Sequence, residues 1–467
     1  MARRALIAAV AAALLLTGVP AAGAAPTAPT VYSGQIGGAR YQVEVPSRWN
    51  GTLLLWSHGA YTAEFPPGEA IDMSNHPATR QWLLDHGYAL AASRYTQPFG
   101  WLAVESGLRD QRALLDWFTT HVGTPRRTVS WGASAGGLIA TLLAERDPDR
   151  FAGVASLCGA IGGTASVFNS ALDFGFALKT LLAPDLRLAD IADPAANTAR
   201  VREVLDQAMT TPDKRARLAL AAGLADVTGW FTSRPPRPAS VESQIRHLYL
   251  YGYYTYAGYW GQARADLELR AGGNPSWNTG VDYTALLADS SQRALIEQAY
   301  RDAGLDLATD LRALAAAPRI AASPRAVAYT AHNGTPRGHT PWPVITLHTT
   351  GDGTVPPEHS TWYGTQVRDQ AMLRQVYVDR GYHCSFTAAE EIATVRTLLD
   401  RVETGQWGDV APPAMNAAAG VLGPELQTVW DWNPEPGFHA DTPRFTAYAG
   451  GTLARPGVRP TRPAPRR

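Results

Sequence analysis

Thr128-Val129-Ser130-Trp131-Gly132-Ala133-Ser134-Ala135-Gly136-Gly137 runs directly into the apolar helical pattern Leu138-Ile139-Ala140-Thr141-Leu142-Leu143. A short strand-forming run, then Gly-x-Ser-x-Gly, then a helix is the form of a nucleophile elbow, where a serine sits on a tight turn between strand and helix. The glycines have a steric reason: a Cβ at Gly132 or Gly136 would collide with neighbouring backbone in so sharp a turn. Ser134 is thereby lifted above the sheet, and the helix behind it aims backbone N–H groups at whatever Ser134 attacks. The bland alternative is a Gly/Ala/Ser-rich turn without chemistry. Strand before and helix after favour the elbow, because the motif requires that context.

Outward from the elbow, apolar strands alternate with helical patterns. Upstream, residues 32–37 and 40–45 read as two strands around Gly37-Gly38. Residues 52–56 form a solid apolar run, as in a strand buried on both faces, and end in Ser57-His58-Gly59-Ala60-Tyr61-Thr62. A short helix over 78–86, a buried strand over 88–93 and a helix over about 101–121 follow, the last on Trp101, Val104, Leu108, Leu115 and Phe118. Downstream, residues 151–158 read as a strand. The alternation then stops, and from 161 to 341 the pattern is helical, as at 200–209, 214–224 and 292–303. It resumes with a strand at 344–348, a helical segment at 358–370, a last strand at 373–378 and a closing amphipathic helix over 388–403. Alternating helices and apolar strands predict an α/β fold with a mainly parallel central sheet flanked by helices. The stretch 161–341 is then a large, mainly helical cap inserted into it. Its centre, residues 248–260, holds six tyrosines and one tryptophan. These aromatics either pack the cap or line an apolar substrate cleft.

A serine hydroxyl needs a base to take its proton and a third group to orient that base. His383, in Gly381-Tyr382-His383-Cys384-Ser385, follows the last predicted strand. Asp352, in Thr350-Gly351-Asp352-Gly353-Thr354, follows the strand before it. Taken singly, His383 is one of 11 histidines and Asp352 an ordinary turn residue between glycines. Taken together, Ser134, Asp352 and His383 stand in triad order at three strand ends. Asp379 is the competing acid, on the same strand–loop segment as His383. Glu390 and Glu391 sit in the first turn of the closing helix, where the helix dipole favours acids. The oxyanion donors expected are the N–H groups of Ala135 and of Ala60, or Tyr61 if that turn is displaced by one residue. His58 is expected to brace the loop.

The 467 residues, 45% hydrophobic, carry a formal net charge of +0, which gives no pointer to nucleic acid or an anionic membrane as partner. Arg3 and Arg4, the apolar run 5–16 and Ala22-Gly23-Ala24 read as a secretory signal cut near Ala24, so the mature protein is expected to be secreted. No later stretch is long and apolar enough to span a membrane. The two cysteines, Cys158 and Cys384, form an even count, which in an exported protein favours one disulfide. There is no His-Glu-x-x-His, no cysteine cluster and no Gly-x-Gly-x-x-Gly after a first strand, so neither metal nor cofactor is expected.

The chain resembles the α/β-hydrolase superfamily over about 30–160 and 340–405, on His58-Gly59, Gly132–Gly137, Asp352 and His383. It looks like a secreted serine esterase of the actinobacterial kind. The domains that follow are a signal (1–24), two core halves (30–160 and 342–405), the cap (161–341), an extension (406–455) and a Pro/Arg-rich tail (456–467). A partial similarity is to the tannase and feruloyl esterase family, where a cysteine beside the serine is bridged to one just after the histidine. Cys384 follows His383 here, but Ala133 stands where the first cysteine would be. The resemblance implies that Cys158 substitutes for it and pins the histidine loop over Ser134. The leading expectation is hydrolysis of a small-molecule or polymeric carboxylic ester through an acyl-enzyme. A peptidase of the same fold, an acyltransferase and a non-catalytic binding protein are the alternatives.

Overall fold

The computed structural model describes residues 28–61, 67–96, 104–432 and 436–457. The expected signal 1–24, Trp101 and most of the tail 456–467 lie outside the described residues. β1 (Thr30–Ile36) and β2 (Ala39–Val45) pair as a hairpin across Gly37 and Gly38, both at positive φ. β3 (Thr52–Ser57), β4 (Ala89–Ser93), β5 (Arg127–Ala133), β6 (Gly153–Leu157), β7 (Val344–Gly351) and β8 (Leu373–Gly381) make the parallel part of the sheet. With β11 (Phe445–Thr446) the nine-stranded order is β1-β2-β4-β3-β5-β6-β7-β8-β11, the outer pairings β1·β2, β2·β4 and β8·β11 being antiparallel.

Two apolar cores sandwich this sheet, and β3 shows why. Leu53 and Leu55 enter one core with α2 (Val104–His121), α3 (Ala135–Arg146) and the helical insertion. Leu54 and Trp56 enter the other with α1 (Pro77–Asp85) and the closing helix Ala388–Thr404. The two-residue period of a strand sends neighbours to opposite faces, so a strand covered on both sides must be apolar throughout. Each such side chain taken fully from water contributes roughly 1.5–3 kcal/mol. Trp56 and Trp131 meet edge to face at 4.5 Å across the β3·β5 pairing.

Between β6 and β7 the chain is helical from Thr164–Leu181 to Pro324–Asn333, without a strand among the described residues. The helix expected at 200–209 begins earlier, at Pro194–Ala208, because Asp193 caps it by accepting from Ala196 N and Pro194 starts it. One expectation is corrected: residues 373–378 are not the last strand. A hairpin of β9 (Thr428–Asp431) and β10 (Gly437–Ala440), a helix Pro412–Gly420 and β11 follow. Strands of four, four and two residues are too short to show a period. β11 is set instead by the Asn416 side chain, which donates to Phe445 O and accepts from Phe445 N. No helix among the described residues is long and apolar enough to cross a membrane.

Candidate active site

Four loops meet above the carboxyl ends of the parallel strands, the edge where open α/β sheets bind ligands. The loop after β5 carries Ser134, that after β7 Asp352, that after β8 His383 and that after β3 Ala60.

Ser134 has φ 58° and ψ −125°, a conformation costly for any L-residue. It is over-determined by contacts: Ser134 N donates to Leu157 O (2.9 Å), and Ser134 O accepts from Gly137 N (3.0 Å) and Ala160 N (3.2 Å). A Cβ at Gly132 would lie 2.5 Å from both Gly136 O and Ser57 O, and one at Gly136 would strike the Ser57 carbonyl. Ser134 occupies the N-cap of α3, yet its hydroxyl makes no cap hydrogen bond, which leaves it available for chemistry. Ala135, the first residue of α3, has no earlier helical carbonyl to bond. Gly59 allows the β3 loop to close in, since a Cβ there would sit 3.2 Å from Ser134 Cβ. His58 Nδ1 lies 2.6 Å from Gly59 O, and the ring stacks on Tyr95 and Tyr61 at 4.0 and 4.5 Å. Burial holds His58 near 4, so at neutral pH it is an uncharged brace.

Asp352 is fully buried and used twice. Its Oδ1 accepts from Thr354 N and Val355 N, both at 2.9 Å, and its Oδ2 lies 2.6 Å from His383 Nδ1. The turn role and the partner role are thus filled by the two oxygens of one carboxylate. Burial alone would raise its pKa, but the His383 charge and hydrogen bonds from His348 and His383 outweigh it and hold Asp352 at about 2. The competing acid, Asp379, is solvent-exposed and accepts from Thr350 Oγ1 instead.

The histidine loop is clamped from several directions. Cys158 and Cys384 form a disulfide between the end of β6 and the residue after His383. Thr349 Oγ1 donates to Tyr382 O (2.8 Å), Tyr382 N to Trp230 O (3.0 Å) and Asn75 Nδ2 to Cys384 O (3.1 Å). Ser134, Cys158, Tyr382 and Cys384 are all non-glycine residues at positive φ, so backbone strain gathers around the two facing turns.

Ser134 and His383 face one cavity of about 400 Å³, lined also by Trp56, His58, Gly59, Ala60 and Tyr61, by Asp72, Ser74 and Asn75 and by Tyr254 and Thr255. Among the described residues the Ser134 hydroxyl has no hydrogen bond to His383, whose Nε2 instead lies 3.4 Å from Cys384 Sγ. In unliganded sites such bonds are often long and tighten when substrate binds.

The aromatic run of the insertion has both of its expected roles and a third. Tyr251, Tyr256 and Tyr259 are core residues, and Tyr254 lines the cavity. In addition Tyr251 Oη reaches Gly351 O (3.1 Å) and Tyr256 Oη donates to Gly353 O (3.2 Å), bracketing Asp352 on both sides. The sequence reading also missed His348, Asn75 and Asp72. His348 Nε2 lies 3.5 Å from Asp352 Oδ2. No local pattern marks Asn75 or Asp72, since both stand in an aperiodic stretch before α1.

A family described as alpha/beta hydrolase fold matches residues 70–387, more than half of the chain. An o-phthalyl amidase of Xanthobacter agilis is 28% identical over 414 residues, spanning 82% of this chain and 89% of that protein. Among solved structures, an esterase from Aspergillus oryzae is 11% identical (TM-score 0.39; 89% of this chain, 85% of that one). A 2-hydroxy-6-oxo-6-phenylhexa-2,4-dienoate hydrolase from a Rhodococcus species is 14% identical (TM-score 0.34; 76% and 93%).

Proposed function

The chain belongs to the α/β-hydrolase family, and from that premise we propose that it is a serine acyl hydrolase working through an acyl-enzyme. The observation that carries the reading is the buried Asp352 carboxylate 2.6 Å from His383 Nδ1, in a cavity shared with the strained, uncapped Ser134. In the cycle, His383 Nε2 takes the Ser134 proton as Oγ attacks a carbonyl, and Asp352 stabilises the imidazolium that forms. The N–H groups of Ala135 and Ala60 receive the negative charge on the carbonyl oxygen. His383 then protonates the leaving group, and water returns the serine by the reverse path. Carboxylic esters are the leading substrates. Amides are the second reading, favoured by the name of the Xanthobacter agilis relative. Export is proposed on the signal-like residues 1–24 and on the Cys158–Cys384 disulfide, since disulfides persist in oxidising compartments.

A fluorophosphonate probe tests the nucleophile: it is expected on the peptide containing Ser134 and absent from Ser134→Ala. Matched 4-nitrophenyl esters and 4-nitroanilides of the same acyl groups test the bond cleaved. Turnover of both series unaffected by Ser134→Ala would overturn the proposal, while anilide turnover exceeding that of the esters would put the amide reading first.

A further inference from the structure

Asp72, Ser74 and Asn75, between β3 and α1, line the cavity together with Tyr254 and Thr255, and these three side chains offer it polar atoms of one kind. Asp72 is exposed, and its Oδ2 accepts from Tyr61 Oη at 2.8 Å, while its Oδ1 has no hydrogen-bond partner among the described residues. Tyr61 cannot swing away freely, being stacked on His58. Asn75 has its Nδ2 committed twice, to Cys384 O at 3.1 Å and to Glu391 Oε1 at 2.6 Å. A carbonyl can only accept, so the amide nitrogen must face it, and Oδ1 is the atom left to the cavity. Ser74 Oγ donates to His76 O at 2.7 Å, which leaves its lone pairs. Three neighbouring side chains therefore present acceptors: the Asp72 carboxylate has no donor, and the donors of Ser74 and Asn75 are already used.

The charge agrees with the hydrogen bonding. Among the described lining residues Asp72 is the one carboxylate, and there is no Lys or Arg. Arg94 is nine-tenths buried, its Nη2 donates to Glu69 O and Ala70 O and its buried Nε has no partner among the described residues, but it is not among the residues that line the cavity. A substrate carboxylate placed here would meet lone pairs and a like charge, whereas an N–H group would find three acceptors.

Resting on the acyl-hydrolase reading above, we infer that Asp72, Ser74 and Asn75 form a specificity wall for a hydrogen-bond-donating, preferentially cationic group of the substrate, of the amine or amidine class. Anionic substrates are turned away by the same wall. The wall is joined to the chemistry through Asn75, which bonds the residue after His383.

The test uses 4-nitrophenyl esters of three benzoic acids bearing a 4-aminomethyl, a 4-methyl or a 4-carboxy group, so that the leaving group is constant. The folded protein is expected to favour the ammonium ester over the carboxylate ester by about tenfold or more in kcat/KM. Asp72→Asn should collapse that ratio, and Asp72→Lys should reverse it. Ratios are taken within each variant, so partial loss of folded protein cancels. Binding of benzamidine and of benzoate to Ser134→Ala by calorimetry asks the same question without turnover, with benzamidine expected to bind at least tenfold more tightly. Ser134-dependent turnover with a ratio that Asp72→Asn leaves unchanged would overturn the wall and spare the hydrolase reading. Tighter benzamidine binding with no turnover of any ester would spare the wall and overturn the hydrolase reading. Tighter binding of benzoate would overturn the wall outright.

Discussion

The two turns that face each other across the cavity are built in opposite ways. The Ser134 turn is made by its own stretch: Gly132, Gly136 and Gly137 let strand, serine and helix pass through a space with no room for a Cβ. The turn of His383 has little local support, and is held by Cys158 on β6, Thr349 on β7, Asn75 before α1 and Trp230 in the insertion. One is specified by glycines within ten residues of one another, which admit the close backbone of Ser57, His58 and Gly159; the other is held by four contacts from distant parts of the chain. Damage to the first should therefore be felt by the whole fold, and damage to the second by the site before the fold.

The largest effect is expected from Gly136→Ala, which drives a methyl group into the Ser57 carbonyl on the neighbouring strand. The Ser57 backbone cannot move without breaking the β3·β5 pairing, so a loss of about 4 kcal/mol or more is expected. Urea unfolding measures it, and a folded, active variant would break the comparison. Asp352→Asn comes next, on the other side of the cavity. It is expected to lower kcat by about 10⁴-fold, as losing the carboxylate that orients a triad histidine does, with little change in the circular dichroism spectrum. Cys158→Ala with Cys384→Ala opens a bridge spanning 226 residues and should cost about 2–5 kcal/mol of stability. At temperatures where the variant remains folded, its kcat should still fall, because the histidine loop is loosened. Unchanged kcat in folded protein would show that the hydrogen-bonded clamps suffice alone.

Glu391 sharpens the comparison through pH. Burial pushes it from 4.5 up to about 7, against hydrogen bonds from Asn75, Thr79 and His76. A carboxyl raised in the folded state contributes stability below its unfolded value, and that contribution is lost as pH rises through about 7. The destabilisation caused by Glu391→Gln should therefore shrink between pH 5 and pH 8, by about 2 kcal/mol, read from thermal melts at both values. A constant difference would show that Glu391 does not titrate in that window. The smallest effect is expected from Thr349→Val, which keeps the shape but removes the donor to Tyr382 O. A cost of about 1 kcal/mol and a fall in kcat of a few fold are expected.

Much of the sheet and the serine turn could be read in advance because their causes are local. The apolar run 52–56 can only be a strand covered on both faces, and the Gly-x-Ser-x-Gly spacing permits few backbone paths. The hydrogen-bonded closeness of Asp352 and His383, by contrast, was inferred from order along the chain and had no local mark. The short strands after residue 428 were unreadable for a related reason. β11 pairs with β8 and is anchored by Asn416, 29 positions earlier, which bonds both Phe445 N and Phe445 O.

The sequence by itself determined where a serine could be held under strain, because the room for so close a backbone approach is written in the glycines. Only the tertiary structure decided what surrounds that serine. The two oxygens of Asp352 serve a turn and a histidine, tyrosines from the insertion bracket the acid, and Asn75 donates to the histidine loop. Such assignments depend on which partner lies within about 3 Å of an atom, and residues from 31 to 309 positions apart, as Asp352 and His383 or Asn75 and Cys384 are, reach that distance only when the whole chain has folded.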